Sequence, residues 1–178
     1  MTPERLTAAQ QDLYAEITGG DRAAAGGAPV PEADGALPGP FNAMLLSPVL
    51  GDALQRLGSA IRYHGTLPSR AREIAILTVA AHHDCAFEWR THEPIARDAG
   101  LNDADLAAVR AMTALPDPNP YEAAVQTLTR RLLRYRGLDD EAYAAAVATV
   151  GAPALFEVVT LVGYYSLLAL QMDVFAVS

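Results

Sequence analysis

The chain has 178 residues, 51% apolar and 19% charged, with a formal net charge of -8. That composition suits a globular domain with an ample core, and the apolar surplus is surface that subunits can bury, so a homo-oligomer is expected. It argues against nucleic acid as a partner, because such binders need clustered Lys and Arg to displace phosphate counterions.

Cys85 is the single cysteine, so an intramolecular disulfide is impossible and no oxidising compartment is implied. The start, "MTPERLTAAQQDLY", lacks the basic-then-apolar order of a secretory leader, and a cytoplasmic location is expected. The stretch 154–177 is long enough to span a bilayer. However, Glu157, Gln171 and Asp173 interrupt it and no basic flank orients it. It is read as a buried central helix, with no membrane partner.

In chain order, a first helix is expected from just after Thr2 to about Ile17, with Pro3 in its first turn. Residues 18–42, "TGGDRAAAGGAPVPEADGALPGPFN", form a long, partly extended connection rich in Gly, Pro and Ala. The division expected is an N-terminal helix and linker over 1–38, then a helical domain over 39–178. From Ser47 a helix with Leu54, Leu57 and Ile61 on one face runs to His64. The next is capped by Ser69 and is apolar nearly all round from Ile74 to Ala81, hence buried. Further helices are expected at 85–99, 103–112, 120–136, 139–149 and 153–176, punctuated by glycines. "TRRLLRYRG" (129–137) is the most basic segment and reads as a helix with a solvated face. No strand pattern is found, so the fold class is all-α.

The polar stretch "HHDCAFEWRTHEP" (82–94) reads two ways from spacing alone: as a chemical site, or as a polar seam in which a Glu–His pair lies on a solvated helix face and the lone Cys is a small buried apolar residue. On a helix over 85–93, with Asp84 as its N-cap, Cys85, Glu88 and His92 share a face. A carboxylate beside an imidazole favours the imidazolium and burial opposes it, a balance suited to proton transfer near neutral pH. In a first helical turn, free N–H groups favour a cysteine thiolate. Adjacent His82, His83 and Asp84 point different ways on a helix and make a poor metal set, so no metal site is expected. Pro94 should kink or restart the helix beyond His92.

Residues 69–101, "SRAREIAILTVAAHHDCAFEWRTHEPIARDAGL", resemble the core motif of the carboxymuconolactone decarboxylase family, which includes the alkylhydroperoxidase D-like proteins. The redox branch has Glu, eleven residues, Cys-x-x-Cys, three residues, His. Glu73, Cys85, Glu88 and His92 hold those four places here. The flanks "GPFNAMLLSPVLGDALQRLG" and "LVGYYSLLALQMDVFAV" also look like this family. The resemblance implies an alkylhydroperoxidase D-like helical bundle and a homo-oligomer, commonly a trimer or a multiple such as a hexamer.

The departure is Glu88, which replaces the peroxide-attacking thiol. A carboxylate cannot reduce peroxide, and Cys85 has no partner for an internal disulfide. What the resemblance leaves is an acid–base frame similar to the decarboxylase side of the family, where no metal or organic cofactor is used. The expected function is therefore a lyase or isomerase acting on a small organic acid or lactone. His92 would move the proton, with Glu88 and Glu73 in the relay. Arg70, Arg72 or Arg90 is available for a substrate carboxylate, and Phe87 and Trp89 for the pocket wall. Two other readings stay open: a one-Cys thiol chemistry at Cys85, and a non-catalytic helical oligomer or binding module.

Overall fold

The computed structural model describes residues 1–175. All regular elements among them are helical: α1 (Ala8–Gly19), α2 (Asp21–Ala24), α3 (Pro40–Met44), α4 (Pro48–Ser59), α5 (Ser69–His82), α6 (Ala86–Asp98), α7 (Asp103–Arg110), α8 (Pro120–Tyr135), α9 (Asp140–Val150) and α10 (Ala152–Phe175). The chain divides into two compact units, Met1–Gly65 with the segment from Leu170 on, and Thr66–Ala169.

In the first unit the expected opening helix is interrupted. Pro3–Arg5 forms one 3-10 turn, and α1 starts afresh at Ala8. The cause is a capping box, in which Thr7 N–H donates to Gln10 Oε1 at 2.9 Å. The connection expected over 18–42 holds two short helices, α2 and α3, the second opened by Gly39 at φ 55 and Pro40. Gly51 lets α4 close on its neighbours, since a Cβ there would lie 2.3 Å from the Met44 carbonyl oxygen. Arg22, though charged, is buried, donating to the Gln55 carbonyl at 3.0 Å and lying over the Phe41 ring.

The second unit is organised by α5. Its residues Glu73 to Ala80 are all buried, and it packs against α6, α7 and α8. Ile74, Leu77 and Ala80 join Trp89, Ala96, Leu106 and Val109 in one core cluster. Each large apolar side chain so buried contributes roughly 1.5–3 kcal/mol. A helix with no polar face can only be a central one, which is why its position was readable.

Two expected caps are corrected. Ser69 is the first helical residue and Pro68 the N-cap. Asp84 does not cap α6; it terminates α5. It adopts φ 49, its N–H donates to Ala81, and the Cys85 N–H donates back to Ala80. This is the Schellman closure, with aspartate in the left-handed position usually held by glycine. Cys85 becomes the N-cap of α6.

Pro94 does not end α6, which runs unbroken to Asp98. The lost N–H would have reached the carbonyl of Arg90, and both residues are solvent-exposed, so that carbonyl can turn to water. The last helix is buried on one side only. Val158, Leu161, Val162, Tyr165 and Leu168 face inward, whereas Phe156, Val159 and Leu167 are exposed. By length and composition α10 could cross a membrane; its one-sided burial corrects the expectation of a fully buried helix. The expected residue 176 lies outside the described residues.

Candidate active site

Glu73 lies in the second turn of α5 at 0% exposure. An isolated carboxylate in such a place is costly, so its partners carry information. The principal one is His92 of α6, whose Nδ1 is 2.8 Å from Glu73 Oε2. An ionised carboxylate only accepts, so against one Nδ1 carries the hydrogen and Nε2 is the nitrogen turned toward the groups on the other side of the ring.

Two groups face Nε2. The Glu88 carboxylate, one turn earlier on α6, has Oε2 at 3.6 Å. The Tyr165 hydroxyl from α10 is at 3.3 Å, with its ring edge-on to the imidazole. Glu88 at 4% and His92 at 2% exposure are as secluded as Glu73. Charges in such surroundings interact far more strongly than in water. The expected face of α6 is therefore real for Glu88 and His92, and Glu73 joins them from α5.

The remaining expected residues divide. Arg72 Nε is 3.5 Å from Glu73 Oε1, close enough for an ion pair, yet both atoms lack a hydrogen-bond partner. Arg72 thus helps offset the buried negative charge, and Glu73 keeps one unsatisfied acceptor. Cys85 is half-buried at the start of α6. Burial pushes its thiol up. The Glu88 and Phe87 N–H groups and Arg90 pull the other way, while the Glu88 carboxylate adds to the rise. The net direction is upward, which corrects the expected thiolate: the free N–H groups act as expected, but desolvation outweighs them. Trp89 is a core residue, its indole N–H donating to Glu93 at 2.8 Å and its ring under the Arg110 guanidinium. Phe87 is half-buried, Arg90 is exposed, and Arg70 is tied to Asp105 and Glu122.

Tyr165 was missed. Its sequence signal is the "GYYS" break between the aliphatic runs of α10, and a tyrosine in a core helix usually needs a partner for its hydroxyl. The neighbouring Ser166 hydroxyl bonds His83 Nε2 at 3.0 Å, fixing this part of α10 to the end of α5. Glu157 adds a second tie. Its carboxylate accepts from Thr66 N–H and Oγ1 and from Leu67 N–H at 2.7–3.1 Å, anchoring the approach to α5.

Residues 48–130 match the model of the carboxymuconolactone decarboxylase family. This span takes in Glu73, Cys85, Glu88 and His92 and is narrower than the resemblance over 39–177. No curated protein matches the chain.

Proposed function

From residues 48–130, which belong to the carboxymuconolactone decarboxylase family, we propose that the chain is a lyase or isomerase that moves a proton on a small organic acid or lactone using side chains alone. The observation that carries this reading is the 2.8 Å contact between His92 Nδ1 and Glu73 Oε2 in full seclusion from solvent. It is the arrangement that orients an imidazole and stabilises its charged form when Nε2 takes a proton.

In this reading Nε2 of His92 removes a proton from carbon next to a carbonyl, or returns one after carbon dioxide leaves. The electron pair passes into the substrate's own carbonyl or conjugated lactone. The Tyr165 hydroxyl is the donor best placed for the developing enolate oxygen. Glu88 holds the transferred proton near Nε2 as a second carboxylate, and Arg72 balances the charge of the carboxylates. Cys85 takes no part, in keeping with its raised thiol. Exposed Phe156, Val159 and Leu167 on α10 support a homo-oligomer, because apolar side chains gathered on one helix face are seldom left to water.

The test is turnover on a panel of lactones and β-keto or unsaturated acids that includes carboxymuconolactone. His92→Asn should lose about a hundred- to ten-thousand-fold in kcat, while Cys85→Ser retains wild-type turnover. Full activity in His92→Asn would overturn the proposal.

A further inference from the structure

A concave site lies apart from the Glu73–His92 cluster, with none of that cluster's residues in its lining. The open cavity, about 740 Å³, lies along the C-terminal half of α8 and the end of α5. Arg130, Arg131, Arg134 and Tyr135 line it from α8, together with His82 from α5 and Met112 from beyond α7. Its volume is in the range of small-molecule sites.

Its charge is unusual for this chain, which has 21 acidic residues against 13 basic ones. Arg56, Arg70 and Arg97 each pair with carboxylates. Within the cavity Arg131 is matched by Asp139. Arg130 and Arg134 have no carboxylate partner among the described residues, and Arg134 lies over the Tyr135 ring. They are four residues apart on α8, hence on one face a turn apart, with side chains about 5–6 Å apart at Cβ. Two guanidinium forks carried one helical turn apart on one face can converge on a single multiply charged anion, each in bidentate fashion. Tyr135 and Met112 offer an apolar wall for the carbon skeleton, and the His82 ring adds a further nitrogen.

We propose that this cavity binds a small multivalent organic anion, a polycarboxylate or a phosphate ester, through Arg130 and Arg134. The basic stretch 129–137 is then a ligand face, which goes beyond its reading as a merely solvated helix surface. The site shares no residue with the proposed catalytic cluster, so the two readings stand or fall separately.

Calorimetric titration of the full-length protein with citrate and with pyrophosphate at low ionic strength tests it, the two probes distinguishing carboxylate from phosphate chemistry. Saturable one-site binding of at least one probe is expected. The Arg130→Gln/Arg134→Gln protein should bind it at least tenfold more weakly, whereas Arg5→Gln/Arg56→Gln, which removes equal charge elsewhere, should bind as the wild type does. Circular dichroism of the variants establishes that each is folded. The proposal is overturned if neither probe saturates, if Arg130→Gln/Arg134→Gln binds undiminished, or if both double variants lose binding equally.

Discussion

His92 Nδ1 and Glu73 Oε2 meet at 2.8 Å although nineteen positions separate them, and neither side chain is appreciably exposed. The contact joins α5 to α6 at a point where no water can replace either partner. Cutting it has two separable consequences. Glu73→Ala leaves the imidazole without its acceptor, and loss of one member of a buried pair costs about 3–5 kcal/mol. Glu73→Gln keeps an acceptor oxygen for Nδ1–H but cannot stabilise an imidazolium. Urea denaturation should therefore show a much larger loss for Glu73→Ala than for Glu73→Gln, while turnover falls sharply in both. Equal stability of Glu73→Ala and wild type would remove the pair from the folding account.

Tyr165 supplies the third direction of approach to the imidazole, from α10, at 3.3 Å from Nε2. Tyr165→Phe retains the buried ring and its edge-on contact with His92. A single neutral hydrogen bond is worth about 0.5–1.5 kcal/mol to stability, so the fold should survive. An oxyanion donor is worth more to the transition state, about a hundredfold or more in kcat. A kcat drop of that size with an unchanged KM and a small shift in urea midpoint is expected; wild-type kcat would confine Tyr165 to packing.

The contrast between these residues explains what the sequence disclosed. Glu88 and His92 are one helical turn apart, so periodicity alone places them together. α5 was legible because its apolar residues surround it, leaving it nowhere to sit but the centre. Tyr165 belongs to a helix 73 positions beyond His92, and no local spacing encodes such a meeting. Trp89 shows the reverse error: an aromatic beside a polar pair suggests a pocket wall, yet the next position on a helix points about 100° away, into the core. The cap at Cys85 was misplaced for a local reason, since Asp84 suits both a helix start and a left-handed stop. The left-handed φ of Asp84 and the bonds from Asp84 N–H to Ala81 and from Cys85 N–H to Ala80 decide between them.

Cys85 offers a test of the electrostatics around α6. Burial, helped by the Glu88 carboxylate, raises its thiol against the pull of nearby N–H groups and Arg90. A raised pKa means less thiolate at neutral pH, so alkylation by iodoacetamide should be slow at pH 7. The rate should rise with pH to a midpoint above that of a free cysteine in the same buffer. Glu88→Gln removes one of the raising influences and should move the midpoint down. A midpoint at or below the free-thiol value in the wild type would contradict the burial described here.

Acid stability should report on Glu157. Burial alone would disfavour its ionised form, but the Thr66 hydroxyl and N–H and the Leu67 N–H together overcome that penalty and hold the carboxyl below its ordinary value. A carboxyl depressed in the folded state binds its proton more readily when unfolded. Its contribution is thus complete above the unfolded value and is lost as pH falls through the folded one. Over the acid window that runs from the ordinary carboxylate value down through the depressed folded one, the urea midpoint of the wild type should fall more steeply than that of Glu157→Gln, the gap closing as both reach the acid side. Above that window the wild type should be the more stable of the two. Parallel curves across the window would show that Thr66 and Leu67 do not hold this carboxylate in solution.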